Sequence, residues 1–323
     1  MKDSKKRTEE KIIFDLVYNN RKDLTIDHED KPDFWIGNNL HQKFGVEITQ
    51  LFKNESDARL KYITNYLGDL LDSKKFKHKE DIQNLKVDEI KFIDRSGKET
   101  KTQAVIQNIP VRNEYLNILL NRISEKSSLI ANYNKNLSYY NLIIFDNSNS
   151  LTILKKDDFF NFVFELNIIE ALLNSDYQEI FLITNISKSQ YFFPLKRILF
   201  LSRIFLFQEI LNKIIPSNKD LPDEKYFNWF GEFLIMQGFK NVKLRSLNEE
   251  IELKYNSTGF MFNDGNIIAL RDYDLYLTDN SIFKDIIETR FITPEIRIII
   301  NDNLKWFGFS CGLGTETKKS DKT

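Results

Sequence analysis

Two carboxylates whose types and spacing could hold a metal ion lie near the start of the chain. Asp33 follows Pro32, and Glu47 lies fourteen positions further on, in the run Gly-Val-Glu-Ile-Thr that ends at Thr49. Both segments have the apolar character of short strands, and neighbouring strands would deliver both carboxylates to one edge of a sheet. Mg²⁺ prefers oxygen ligands and keeps several waters, and a bound Mg²⁺ can activate a water and stabilise charge on a phosphodiester. The pair therefore predicts a metal-dependent nuclease.

Each carboxylate also has a simpler interpretation. Pro-Asp is common in turns, so Asp33 could cap a turn. Strand alternation places Glu47 on one face with Gly45 and Thr49, and that face could be exposed to solvent. If the face is buried instead, Glu47 needs a partner or a metal. Taken singly the residues leave these alternatives open, whereas their order and flanking elements together favour the nuclease.

The composition limits the other classes of function. The chain has 323 residues, of which 41% are hydrophobic and 29% charged, as expected for a globular protein with two domains. Its net charge is −1, so any contact with nucleic acid requires a local basic patch. The lysines between Lys74 and Lys79 are one candidate, although such a run is more often a solvated loop. A single cysteine excludes an internal disulfide and a structural zinc cluster of the usual kind, and three histidines argue against a multi-histidine metal site.

The elements that must position the two carboxylates follow from the pattern of apolar residues. The sequence predicts an α/β fold with a mixed central sheet flanked by helices over residues 1–189, then an α+β domain over 190–314 and a disordered tail over 315–323. The predicted helices cover residues 8–19, 54–71, 114–133, 158–174, 194–215 and 226–237. The predicted strands cover residues 33–37, 44–52, 140–145, 180–184, 242–245, 251–255, 259–262, 267–270 and 296–300.

An amino-terminal helix carrying Glu9, then Pro32-Asp33, then Gly-Val-Glu-Ile-Thr and a further helix, resembles the PD-(D/E)xK nuclease superfamily. The resemblance is strong over about the first sixty residues, extends loosely to Thr184 and does not cover the carboxy-terminal part. It implies the restriction-endonuclease-like fold and the cofactor Mg²⁺ or Mn²⁺. It also implies that Asp33 and Glu47 bind the metal and that Glu9, or alternatively Glu10, adds a third carboxylate.

The chain departs from this family at Thr49, where the motif has a lysine. A lysine there helps to position the attacking water and stabilises developing negative charge, whereas threonine can order a water but carries no charge. Lys61 or Lys126 could supply the missing cation. Lys126 is preferred, because its helix and the following strand loosely resemble those of related nuclease-like proteins. The predicted catalytic residues are therefore Asp33, Glu47, Thr49 and Lys126.

The function that follows from the resemblance is hydrolysis of phosphodiester bonds in DNA, or RNA, in restriction or antiphage defence. The alternative is a nuclease-fold subunit that has lost hydrolysis and binds nucleic acid or a protein partner. In either case the carboxy-terminal domain would contact the target, a protein partner or a second copy of the chain. The start of the chain has no apolar signal segment and no run long enough to cross a membrane, so the expected location is the cytoplasm, without a membrane partner.

Overall fold

A mixed central sheet flanked by helices forms the fold, which confirms the predicted α/β class. The molecule is seen in a computed structural model that describes residues 2–19, 25–29, 31–37, 43–106, 108–133, 136–215, 222–247, 250–256, 258–263, 266–272, 284–286, 293–306 and 315–316.

The strands of these residues fall into three sheets. In chain order they are β1 (Thr25–His28), β2 (Phe34–Gly37), β3 (Lys43–Leu51), β4 (Lys86–Ile93), β5 (Glu99–Ile106), β6 (Tyr140–Asp146), β7 (Glu179–Ile186), β8 (Ser189–Pro194), β9 (Val242–Leu247), β10 (Glu250–Tyr255), β11 (Thr258–Asn263), β12 (Asn266–Asp272), β13 (Lys284–Asp285) and β14 (Thr315–Glu316). The central sheet has the order β1-β2-β3-β6-β7-β8-β14, the second sheet has the order β12-β11-β10-β9-β13, and β4 pairs with β5 alone.

Of the α-helices in the described residues, α1 precedes β1 and the others lie between strands in chain order. They are α1 (Lys2–Tyr18), α2 (Glu55–Tyr62), α3 (Tyr66–Ser73), α4 (Asp81–Asn84), α5 (Arg112–Leu129), α6 (Phe159–Val163), α7 (Leu166–Asn174), α8 (Leu195–Ile214), α9 (Asp223–Met236) and α10 (Pro294–Trp306). The predicted helices over 54–71 and 158–174 are thus each divided in two. Asn65, with a φ of 61°, separates α2 from α3.

The central sheet combines antiparallel and parallel pairing. β1, β2 and β3 are antiparallel neighbours, whereas β3 is parallel to β6 and β6 to β7. Parallel neighbours require a crossover connection, and the segment between β3 and β6 contains α5. This crossover places α5 against β3, the strand that carries Glu47.

Alternation along β3 decides which helix each side chain meets. Val46 and Ile48 belong to a buried cluster with Ile13 and Phe14 of α1. Leu51 belongs to a different cluster, with residues of α5. Because successive strand residues point to opposite faces, the odd-numbered positions of β3, including 47 and 49, face α5.

The larger of the two clusters continues into the carboxy-terminal part, where it includes Phe227, Leu253 and Ile300. β8, which begins at Ser189, belongs to the central sheet. The predicted division into domains at residues 189 and 190 stays a prediction. From the predicted tail, Thr315 and Glu316 pair with β8, and residues 317–323 lie outside the described residues.

The predicted strand over residues 296–300 is wrong, because these residues lie in α10. Pro294 occupies the first helical position, where proline lacks only a hydrogen bond that would be missing anyway. The Thr293 hydroxyl accepts a hydrogen bond from the Ile296 backbone N–H at 3.4 Å. Four apolar residues within five positions fit a strand as well as a buried helix, so periodicity alone could not decide.

Candidate active site

Asp33 lies immediately before β2 and is 8% exposed. Its Oδ2 accepts a hydrogen bond from the Ile48 backbone N–H at 2.7 Å, which ties it to β3. The register pairs Phe34 with Val46, so Asp33 and Glu47 occupy the next opposed positions. Burial raises the pKa of Asp33 to about 7, and the negative charge of Glu47 adds to the rise, while the Ile48 N–H opposes it. The two carboxylates therefore lie close enough to repel each other.

Glu47 is 7% exposed and faces α5. Lys126 of α5 donates a hydrogen bond from Nζ to Glu47 Oε1 at 2.8 Å, with its own side chain largely buried. The Tyr133 hydroxyl also hydrogen-bonds the Glu47 carboxylate. Glu47 thus has a cation and a hydroxyl as partners, which offsets the cost of burying its charge.

Two buried tyrosines lie next to the ion pair of Lys126 and Glu47. The hydroxyls of Tyr133 and Tyr177 lie 3.0 Å apart, and the Tyr177 hydroxyl donates to the backbone oxygen of Lys126 at 3.2 Å. Burial raises the pKa of both tyrosines, so both remain neutral hydroxyls at physiological pH. The network links Glu47 to the helix that carries its cation.

Glu10 is the helical carboxylate that acts on Asp33. It is buried on α1, where it pairs with Lys6 Nζ at 3.2 Å and His28 Nε2 at 3.4 Å. Its charge contributes to the raised pKa of Asp33. Burial disfavours the charged form of Lys6, but the carboxylates of Glu10, Asp33 and Glu47 outweigh this effect and raise the pKa of Lys6.

Glu9 points into a different polar network at the end of β3. Its Oε2 accepts a hydrogen bond from Gln50 Nε2 at 3.3 Å and lies 3.9 Å from Lys61 Nζ. Lys61 in turn donates to Gln50 Oε1 at 2.7 Å and to Asn147 Oδ1 at 3.4 Å. The metal-ligand role of Glu9 stays a prediction, and Glu10 is the α1 carboxylate whose charge acts on Asp33.

Thr49 is buried on the same face of β3 as Glu47, two positions further along the strand. Its register partner on β6 is Ile144, a fully buried core residue. The position that the resemblance assigns to a lysine is therefore a partly apolar environment, and Lys126, a cation on this face, is bound to Glu47.

The residues fit a magnesium site with two protein carboxylates. Nowhere in the described ranges do three or more His, Cys, Asp and Glu side chains form a group that could hold a metal ion, so the predicted three-carboxylate site is not seen. Mg²⁺ is often bound by only one or two carboxylates and completes its shell with water and substrate phosphates. The donor set of Asp33 and Glu47 is chemically suited to that mode. Their role as ligands stays a prediction.

Sequence reasoning expected Asp33, Glu47 and Lys126 at one site and offered Glu10 as an alternative to Glu9, but it missed Lys6, Tyr133 and Tyr177. Lys6 and Glu10 are separated by four positions on a helix, a spacing that could have identified the pair. Nothing local indicates Tyr133 and Tyr177, which meet only because the fold brings them together.

Comparison of the chain with protein-family models, with curated proteins and with solved structures gives no match in any of the three. No helix within the described ranges has the length and apolar character needed to cross a membrane.

Proposed function

We propose that the chain is a metal-dependent nuclease that hydrolyses phosphodiester bonds in DNA, with Mg²⁺ or Mn²⁺ held by Asp33 and Glu47. The observation that carries the proposal is the pair of buried carboxylates on neighbouring strands, one of which has a pKa raised to about 7 by burial and by the other's charge. The charged form of Asp33 is unfavourable in the protein alone, because it is buried and lies near the charge of Glu47, and a divalent cation would relieve that repulsion.

The residues around the pair have separable roles in this proposal. The bound ion would supply an activated water and charge stabilisation at the phosphorus. Lys126 and Tyr133 orient the Glu47 carboxylate, and the Ile48 N–H orients that of Asp33. The Thr49 hydroxyl can order a water on the same face as Glu47.

Further charges surround Asp33 on the α1 side. Glu10 adds negative charge near Asp33, and Lys6 lies within electrostatic reach of the same carboxylates. Lys6 and Lys126 together provide two cations beside the acidic pair, which compensates in part for the lysine that Thr49 replaces.

One observation favours the alternative of a nuclease fold without hydrolysis. Glu47 is already neutralised by Lys126 at 2.8 Å, and Thr49 provides no charge. If this ion pair persists when nucleic acid is bound, the site has a single free carboxylate, Asp33. The chain would then bind nucleic acid or a protein partner as a subunit of a larger complex.

A cleavage assay tests both functions. Supercoiled plasmid, duplex DNA and duplex RNA are incubated with wild type, Asp33→Asn, Glu47→Gln and the control Asp72→Asn, an exposed carboxylate on α3. We expect cleavage of DNA that requires Mg²⁺ or Mn²⁺, falls at least about 100-fold in the two site variants and is unchanged in the control.

Cleavage that survives both site substitutions would refute the assignment of the site. Binding by all four proteins without metal-dependent cleavage would favour the non-hydrolytic alternative. The setting in restriction or antiphage defence is also a proposal. Phage plating on cells that produce wild type or Asp33→Asn tests it, and equal plating on both would refute it.

A further inference from the structure

A two-stranded hairpin, β4 with β5, stands apart from the two larger sheets. Near its turn, Phe92 is 57% exposed and Ile93 is 72% exposed. Directly opposed residues lie on one face, so Phe92 shares a face with Thr100, and Ile93 lies on the other face with Glu99. The end of the hairpin thus presents large apolar side chains on both faces.

The segment of residues 74–80, here called the basic loop, is held beside the base of this hairpin. Phe76 packs with Val87 and Val105 around one small buried cluster. The Lys77 backbone N–H donates to the Tyr66 hydroxyl at 3.1 Å. These contacts fix the position of the basic loop against the hairpin.

A buried carboxylate fixes the far end of the basic loop. Asp81 is fully buried and accepts a hydrogen bond from Arg59 Nη1 at 2.6 Å and another from the Tyr66 hydroxyl. Lys77 Nζ also pairs with Asp69 of α3 at 2.9 Å. These contacts therefore hold the basic loop, and the lysines on it, in a defined position.

The basic loop and the hairpin carry a local positive charge. Residues 74–106 contain nine Lys and Arg against six Asp and Glu, in a chain of net charge −1. Within the hairpin, Lys91 pairs with Glu99 at 3.2 Å and Lys101 with Glu89 at 3.1 Å. Other exposed cations of this surface form no ion pair with the described residues; they are Lys74, Lys75, Lys79, Arg95 and Lys98.

This surface adjoins the strand of the candidate site. Lys53, four residues beyond Thr49, donates from Nζ to the backbone oxygen of Asn108 at 3.2 Å, just after the hairpin. The base of the hairpin is thereby tied to the chain that leaves β3. A ligand on the hairpin would lie on the side of the molecule where β3 ends.

We propose that the basic loop and the β4–β5 hairpin form a binding surface for duplex DNA, an inference that rests on the proposed function. Its unpaired cations contact phosphates, and Phe92 and Ile93 contact the bases. The major groove of B-form DNA is wide enough for a two-stranded β-ribbon, and exposed apolar side chains are used to contact or wedge between bases. The major groove of duplex RNA is too narrow for the ribbon. The surface therefore favours duplex DNA over duplex RNA.

The test measures binding separately from cleavage. Fluorescence anisotropy in EDTA compares labelled duplex DNA with duplex RNA of the same sequence, over a range of salt concentrations. We expect the triple variant Lys74→Ala, Lys75→Ala, Lys79→Ala to bind DNA at least about 10-fold more weakly, with a salt slope lower by about 3. The control replaces the same number of exposed lysines elsewhere, namely Lys155, Lys188 and Lys240, and should bind as wild type does.

A second variant, Phe92→Ala with Ile93→Ala, removes apolar contacts but no charge. It should weaken binding to duplex DNA about 10-fold while leaving the salt slope unchanged, because no phosphate contact is lost. Circular dichroism melts confirm that the variants fold. These melts are needed because loss of folding would imitate loss of binding.

Several outcomes would overturn the inference. They are equal binding by the lysine variants and their control, equal affinity for duplex RNA, and apolar variants that alter only self-association or capture of a protein. If binding of DNA depends on this surface but no cleavage is observed, the inference stands and hydrolysis is refuted. An unchanged rate of cleavage in all these variants would support hydrolysis and refute the proposed binding surface.

Discussion

Asp33→Asn should stabilise the protein at alkaline pH, although the same change should abolish cleavage. The pKa of Asp33 is raised from 3.8 to about 7, chiefly by burial and then by the charge of Glu47. A carboxyl group with a raised pKa contributes stability that is fully present below its unfolded pKa and is lost as pH rises through its folded pKa. The window of this loss therefore runs from about pH 4 to just above pH 7.

The size of the effect follows from the same shift. Three pKa units correspond to about 4 kcal/mol at about 1.4 kcal/mol per unit, and local hydration would reduce the observed value to about 2–4 kcal/mol. Asparagine has nearly the same shape, its oxygen can keep the hydrogen bond from the Ile48 N–H, and its amide can donate to Glu47. The substitution thus removes the charge with little other change.

Urea unfolding of wild type and Asp33→Asn, followed by circular dichroism between pH 4.5 and pH 8.5, measures the difference in the free energy of unfolding. We expect the variant to gain about 2–4 kcal/mol at pH 8.5 and at most about 1 kcal/mol at pH 4.5. Asp72→Asn, which changes an exposed carboxylate, serves as the control and should show no such trend.

A constant difference across this pH range would refute the reasoning, since it would show that the charge of Asp33 is not disfavoured in the folded state. Destabilisation at pH 8.5 would refute it more strongly. That result would mean that a cation already neutralises Asp33.

Three further predictions concern the same site. Lys126→Met should lower the free energy of unfolding by about 2 kcal/mol, because it leaves the buried Glu47 without its cation; adding Glu47→Gln in a double-mutant cycle should recover most of that loss, and additive losses would show that the pair is not coupled. Tyr133→Phe should cost about 1 kcal/mol in urea unfolding by removing a hydrogen bond to Glu47, and an unchanged free energy of unfolding would show that this hydrogen bond contributes nothing. Mg²⁺ binding below pH 7 should release close to one proton per ion, since it requires the ionised form of Asp33; calorimetry in two buffers of different ionisation enthalpy checks this, and equal heats in both would contradict it.

The pairing of the two carboxylates could be predicted because it depends on local patterns. Asp33 and Glu47 lie on sequential strands, and sequential strands are usually neighbours in a sheet. The choice between Glu9 and Glu10 could not be made in the same way. Adjacent helical residues point about 100° apart, so the choice depends on how α1 is rotated against the sheet. That rotation is decided by the packing of Ile13, Phe14 and Tyr18.

Long-range contacts also limit how much of the site could be predicted from the sequence. Lys126 was expected near the site from its helix, and that helix crosses over between two parallel strands, which places it against β3. The hydroxyls of Tyr133 and Tyr177 come from segments separated by 44 positions. Their meeting depends on the exact relative placement of α5 and β7, which sequence periodicity does not encode. Residues 296–300 show a different limit, because their local apolar pattern fits both a strand and a helix.

The two carboxylates differ in how their charges are balanced, and this difference decides what the site can do. Glu47 has a dedicated cation in Lys126, whereas Asp33 receives a single backbone hydrogen bond and forms no ion pair with any described residue. An external cation would therefore be bound mainly by Asp33, because Asp33 is the carboxylate whose charged form the protein alone stabilises least. It would share Glu47 with Lys126 or displace it, and a displaced Lys126 would be free to meet a phosphate. In the proposed function, the ion pair between Lys126 and Glu47 thus decides between hydrolysis and simple binding.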